Sequence, residues 1–354
     1  MKTLYEILEM NRIQEQLKEF CASSLGKNRV DSFEIMDDLE DLQEIFMKLD
    51  EAMRLIQAQG RIPLGGLSDL SLSLKKANRD GMLLPEELLM VMRHLECVLS
   101  VRRFVCDSEI EVKMLYELVN GLVENKYLHN EIQKCILPDG SVSDGASHAL
   151  GNIRKRIRSM QGQIRHKMES YVKDSKDYLS IDQITTKNDR LVLPVKSQYK
   201  THFNGLVHAS SATGQTAYIE PEAVVLMNNQ LSQLYTEEQE EIERILLALS
   251  RQVKANYYHF YYNLEILEEI DFIFAKAQYG VLYNCCIPTM TQDSRSLVFK
   301  QARHPLIDPE HVVANDIDFC HRQMILISGS NTGGKTVTLK TTGLLSLMAL
   351  CGMP

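Results

Sequence analysis

The chain has 354 residues, 44% of them hydrophobic and 24% charged, with a net charge of −8; this supplies cores for about two or three domains and excludes wholesale disorder. No apolar run approaches the ~20 residues that cross a bilayer, and the opening MKTLYEILEMNRIQEQL lacks the pattern of an export signal. The eight cysteines include no CxxC pair, so they read as thiols in a reducing, cytoplasmic setting rather than as zinc ligands or disulfides.

Divided along the chain, the charge is uneven: −9 over residues 1–145, +7 over 146–210 and −6 over 211–354. A basic segment inside an acidic chain is what a local polyanion contact requires, and a solvated basic helix face is the plain alternative.

Residues 1–136 predict helices. Leu4, Ile7, Leu8, Ile13 and Leu17 mark one apolar stripe, Leu39, Leu42, Ile45, Phe46, Leu49 and Met53 a second, and Pro85 opens a third. RIPLGG (61–66) reads as a break, and LPDGSVSDGAS (137–147) as a linker without periodicity. Leu150, Ile153, Ile157, Met160, Ile164, Met168 and Tyr171 then recur three or four residues apart, an apolar seam on a basic helix. A further run from Val225 to about Ala277 predicts a helix that, if unbroken, extends about 80 Å at 1.5 Å per residue.

Between these helices the texture is β-like: RLVLPVK (190–196), GLVHAS (205–210) and TAYIEP (216–221) are short strands separated by Gly, Asn and Ser. Lys187, Arg190, Lys196, Lys200, His202 and His208 are interleaved with Tyr199, Phe203 and Tyr218. Such a surface suits a phosphate backbone and base stacking, although Tyr218 is read as core. His202 and His208 have no third ligand at suitable spacing, so a metal site is not expected there.

The segment GSNTGGKT (329–336) fits G-x-x-x-x-G-K-[ST], between the apolar run MILIS (324–328) and an apolar helix over Val337–Leu350. MILIS reads as a strand buried on both faces of a parallel sheet. Backbone N–H groups from Gly329, Ser330, Asn331, Thr332, Gly333 and Gly334 would close on nucleotide phosphates, aided by the helix N-terminus. Lys335 would bridge the β- and γ-phosphates of ATP, and Thr336 would hold Mg²⁺ through its hydroxyl.

At these residues a family resemblance is specific. GSNTGGKTVTLKTTGLLSLMALCGMP resembles the P-loop and following helix of the MutS superfamily, most closely its bacterial MutS-II branch, with Ser330 where the usual loop has Pro. QARHPLID (301–308) and VANDIDF (313–319) resemble the segments that precede the ATPase strands, which implies an adenine-side contact near Val312, Val313 and Asn315. Val312 stands where some relatives carry an adenine-stacking aromatic. MKTLYEILEMNRIQEQLKEFCASSLGK resembles the family's first helix, and NDRLVLPVKSQYKTHFNGLVHASSATGQTAYIEPEAVVLMNNQL its clamp. No Phe-x-Glu mismatch wedge is present near the N-terminus.

The resemblance implies a mainly α fold with long antiparallel lever helices, a small β-rich clamp and the start of an α/β P-loop ATPase domain. In this plan residues 1–145 are the N-terminal helical part, 146–181 a lever helix, 182–221 the clamp, 222–280 the returning lever helix and 281–354 the beginning of the ATPase domain. It also implies a homodimer using ATP and Mg²⁺ on double-stranded or branched DNA or on ribosomal RNA, restraining recombination or splitting collided ribosomes. Lys187, Arg190, Lys196, Lys200 and His202 are the expected nucleic-acid contacts. The family's Walker B acid and Smr endonuclease domain are expected beyond Pro354, so no catalytic residue is assigned. These residues alone are therefore expected to bind nucleotide weakly without turnover, and to self-associate or be poorly ordered beyond about residue 280. The rival class is a coiled-coil scaffold with a degenerate nucleotide site; an SMC-like ATPase is disfavoured because its P-loop precedes the coil.

Overall fold

The computed structural model describes residues 4–188, 190–293, 296–320, 324–328 and 334–354. The N-terminal third is helical, as its stripes predict: α1 (Leu4–Ile7), α2 (Met10–Lys18), α3 (Ser24–Asp31), α4 (Leu39–Gln59), α5 (Ser71–Asn78), α6 (Pro85–Cys106), α7 (Lys113–Asn120) and α8 (Lys126–Cys135). Side-chain caps define several starts. Ser23 Oγ accepts from Gly26 N at 3.1 Å to open α3, and Asp38 Oδ1 accepts from Glu40 N at 2.7 Å to open α4. Pro85 begins α6 as expected, with Glu87 accepting from Leu84 N at 2.8 Å.

The basic seam forms α9 (His148–Asp174), capped by Ser147. Four strands follow, β1 (Thr185–Lys187), β2 (Arg190–Lys196), β3 (Gly205–Ser210) and β4 (Thr216–Pro221), in antiparallel order β1-β2-β4-β3. The long run beyond Pro221 is not one helix. It divides into α10 (Glu222–Ala255) and α11 (Tyr257–Leu282) at Asn256, whose φ of −107° and ψ of 17° leave the helical region. The expected continuous rod is therefore corrected to two helices of 34 and 26 residues. A two-stranded antiparallel sheet, β5 (Val298–Ala302) and β6 (Asn315–Asp318), and α12 (Lys335–Leu350) complete the chain. The fold is mainly α with small antiparallel sheets.

Two compact units result. The first comprises residues 1–79, 90–129 and 253–354, and the second residues 80–89 and 130–252. In the first, Met10, Ile13 and Leu17 of α2 share a core with Ala275 and Tyr279 of α11 and with Leu344, Leu347 and Met348 of α12. Here α11 is anchored by Asp271, whose buried carboxylate accepts from Ala22 N (2.8 Å), Ser23 N (3.0 Å) and Ser23 Oγ (2.6 Å) at the start of α3. Gly26 is needed beside it, because a Cβ there would collide with the Asp271 carboxylate. Burial pushes the Asp271 carboxyl upward, against the three donors that favour its charge.

In the second unit Ile164 and Met168 of α9 pack on Leu193 and Val195 of β2, Ala217 and Ile219 of β4 and Val224 of α10. Cross-strand pairs Leu193↔Ile219 and Val195↔Ala217 line the buried face of the sheet. Gly205 faces Pro221 across the ladder, where a Cβ would run into the Glu220 carbonyl. Residues 137–147 are a structured turn, not a slack linker. Leu137 N donates to Ser141 O at 2.8 Å, Ile136 bridges Val142, and Val142 is buried.

Candidate nucleotide site and nucleic-acid interface

Of the phosphate-loop residues, Gly329, Ser330, Asn331, Thr332 and Gly333 lie outside the described residues. Gly334 is the N-cap of α12, in the left-handed region at φ 79°, with nothing within 4 Å of a Cβ built on it. Lys335 is the first helical residue and Thr336 follows with an exposed hydroxyl; the first turn holds no acidic side chain. Among the described residues, the start of α12 thus offers helix N–H groups, a lysine and a hydroxyl, donor types suited to a phosphate and its Mg²⁺. Of the adenine-side candidates, Val313 and Asn315 are exposed and Val312 is half-buried; Asn315 Nδ2 donates to Val313 O at 3.3 Å, and Val312 N donates to Asp308 O at 2.9 Å.

MILIS is not paired as a strand among the described residues, and Met324 and Leu326 are 84% and 88% exposed. A parallel strand is buried only when neighbouring strands flank it, and β5 and β6 pair with each other instead. The expectation of disorder after residue 280 does not describe α12, which packs on α2. Its Lys340 Nζ reaches Glu9 at 3.0 Å and holds that carboxyl below its ordinary range.

Lys276 of α11, only 2% exposed, fixes the other end of α12 by donating to the Cys351 carbonyl at 3.1 Å. Its ammonium lies 4.2 Å from the Phe272 ring centroid and 5.1 Å from that of Phe33. Burial, with no carboxylate pair among the described residues, lowers its pKa to about 7. Neither contact has a local sequence signal, because the partners stand 331 and 75 positions apart.

In the β module, the six basic candidates fall into different environments. Lys187 Nζ lies 4.8 Å from the Tyr218 ring centroid, and Lys196 Nζ donates to the Asp177 carbonyl at 2.9 Å. Lys200 and His202 are exposed on a short 3-10 turn, Ser197–His202, where His202 stacks on Tyr178 at 5.2 Å and 29°. Tyr218 is corrected out of this core: strand alternation buries Ala217 and Ile219 and turns Tyr218, half-buried under Lys187, to the opposite face. Tyr199 and Phe203 do pack against the core.

Arg190 and His208 belong to an internal network. Glu220, 1% exposed, accepts from Arg190 (3.2 Å), His208 (2.6 Å) and Asn228 (2.6 Å), tying β2, β3 and α10 to β4. His208 is therefore committed to a carboxylate, and Arg190 is anchored before any ligand arrives.

The arginines of α9 are also paired. Arg154 meets Glu238 (2.6 Å), Asp144 (2.7 Å) and the Val142 carbonyl (2.7 Å); Arg156 meets Glu237 (3.1 Å) and Arg158 meets Asp144 (3.2 Å). These contacts hold the Asp144 carboxyl below its ordinary range, the Arg154 hydrogen bond first among the causes. By contrast Lys155, Lys173, Lys176 and Lys200 have no carboxylate partner among the described residues. Of these, Lys173, Lys176 and Lys200 lie at or just before the β module, whereas Lys155 lies nearer the start of α9.

These features define a mainly helical protein with a G-K-T-headed helix and a basic β module between long helices. Curated proteins named Endonuclease MutS2 are its homologues. The chain is 39% identical to the one from Bacillus mycoides over 98% of its own length and 45% of the relative's, and 39% identical to that of Clostridium beijerinckii over 98% and 44%. It is 40% identical to a Bacillus cereus relative over 98% and 45%. The MutS-II resemblance thus holds along essentially the whole chain, within the MutS family. The chain spans about half the length of these relatives, 44–45%. No protein-family model matches it. Among the described residues no helix is long and apolar enough to cross a membrane.

Proposed function

We propose that this chain supplies the lever, the clamp and the phosphate-binding loop of an ATP-driven clamp that closes on nucleic acid. The observation that carries the reading is GSNTGGKT, whose left-handed Gly334 caps α12 and whose Lys335 opens it, within a chain homologous to MutS2 proteins. ATP and Mg²⁺ would be held by the 329–336 loop, with Lys335 on the β- and γ-phosphates and Thr336 on the metal. The bound nucleotide supplies phosphate-transfer energy; this chain's part is to bind, orient and report it. The polyanion is double-stranded or branched DNA or ribosomal RNA, gripped by two copies of the module, with Lys187, Lys196, Lys200 and His202 toward it. Restraint of recombination and rescue of collided ribosomes are the cellular roles this reading accommodates.

The test is Mg·ATP binding by titration calorimetry on the chain and its Lys335→Ala variant. Binding lost in the variant is the expected result. Binding that survives the substitution would put the nucleotide elsewhere and favour a scaffold with a degenerate site.

A further inference from the structure

The second unit contains a groove of ≈ 380 Å³, bordered by Ser175, Tyr178, His202, Phe203, Asn204 and Glu222. That volume lies toward the small end of the roughly 300–1,000 Å³ of ligand clefts. Aromatic rings cluster along one wall. Tyr178 is met edge-on by Tyr199 at 5.0 Å and by Phe203 at 6.3 Å, and His202 stacks on it at 5.2 Å. Tyr199 and Phe203 are fixed by the module's core, while His202, also met edge-on by Tyr199 at 5.8 Å, is exposed. The cluster is held in place by the core and His202 is exposed, so a further flat ring stacking on the imidazole needs no rearrangement of the sheet.

The surroundings select the chemistry of that ring. Lys173, Lys176 and Lys200 are exposed and lack a carboxylate partner among the described residues, so a flanking phosphate gains charge there. Asn204 and Glu222 add a polar edge able to accept from exocyclic amines. Asp174 and Asp177 lie on the same stretch; Asp174 accepts from Ser170 Oγ at 3.1 Å. Bases inside a duplex are stacked on both faces and cannot reach an imidazole on a protein surface.

We infer that the groove takes an unpaired nucleobase stacked on His202, so that the module distinguishes single-stranded or flipped-out nucleotides from duplex. This rests on the clamp reading above and names the part of the polyanion that it reads.

The experiment measures fluorescence anisotropy of a labelled mixed-sequence oligodeoxynucleotide, single-stranded and as duplex, with the full chain. His202→Ala should weaken single-strand binding by about 5- to 150-fold, the range of one base–aromatic stack, and should weaken duplex binding by a clearly smaller factor, because a duplex loses only a backbone contact there. His202→Phe should keep the wild-type ratio, because it restores the ring without the imidazole. His202 is exposed, and an unchanged melting curve confirms that the variants fold. Unchanged single-strand affinity in His202→Ala, or an equal loss on both forms, overturns the inference while leaving the clamp reading intact. Wild-type chain that binds neither form overturns both.

Discussion

Helix α9 and the β module both carry the basic surplus of residues 146–210, yet their charges meet different surroundings. On α9 the arginines Arg154, Arg156 and Arg158 are held by Asp144, Glu237 and Glu238. In and beside the module, lysines instead meet an aromatic face, a carbonyl or solvent. Guanidinium groups suit fixed, forked pairing with carboxylates, while an ammonium on a flexible stem stays available. The net charge of a segment therefore does not locate a polyanion surface. What matters is which cations remain after the fold has supplied its own anions.

Glu220 is the strongest place to break this contrast, because it is the module's own buried anion. Glu220→Ala would leave Arg190, His208 and Asn228 without their shared acceptor. A loss of about 3 kcal/mol in urea unfolding is expected, the cost of stripping one partner from a buried charged network. A loss below about 1 kcal/mol would mean that the three donors find other acceptors.

Lys276 extends the comparison to a buried cation with no carboxylate pair among the described residues. Its folded pKa of about 7 lies below that of an unfolded lysine, about 10.4. Between these values the unfolded chain holds the extra proton, so this group makes stability rise with pH, by at most about 1.4 kcal/mol per unit. Measured between pH 7 and 8.5, the contribution is about 2 kcal/mol, and Lys276→Met should remove that slope. The upper limit matters: burial pushes the Cys21 and Cys97 thiols up to about 12, so above the ordinary thiol pKa of about 8.5 they lower stability as pH rises. An identical slope in the variant would show that Lys276 is not the titrating group.

Arg154→Ala should cost about 1–2 kcal/mol, since Glu238 and the Val142 carbonyl lose a charged donor in a half-buried site. Nucleic-acid affinity should change little, which is what separates α9 from the module. A large affinity loss at unchanged stability would erase that separation.

Much of this was legible in the sequence where the controlling interactions are local. The seam Leu150–Ile157–Ile164–Met168 is buried as its spacing predicts, and the phosphate-loop motif is recognisable because its chemistry fixes residue spacing. The break at Asn256 was not legible, because KANYYHF contains neither Pro nor Gly and its apolar pattern continues through it. Tyr218 was misread because a six-residue strand gives little pattern from which to choose a face. The pairing of Arg154 with Glu238 joins residues 84 positions apart, and Lys276 with Cys351 joins residues 75 apart. No local pattern encodes such partners. MILIS shows the converse: its apolar composition predicts burial, but burial also requires flanking strands.

The smallest expected effect on stability accompanies the most specific effect on binding. Replacing Lys187, Lys196 and Lys200 together by Gln removes no buried carboxylate partner, and Lys200 makes no carboxylate pair among the described residues. Unfolding free energy should stay within about 0.5 kcal/mol per site, as for surface substitutions generally. Arg190 is left in place because its loss would disturb Glu220 and confuse stability with contact. Each lysine that neutralises a phosphate releases a counterion, so the slope of log K against log salt should flatten by about 0.9 per lost contact on duplex DNA. The control, Arg156 and Arg158 to Gln, removes two exposed positive charges, one fewer than the test variant, both already balanced by Glu237 and Asp144. Long-range attraction depends on net charge and would fall in both variants, whereas contact at the module falls only in the first. Equal flattening of the salt slope in the two variants would show that the polyanion is held along the helices, not at the β module.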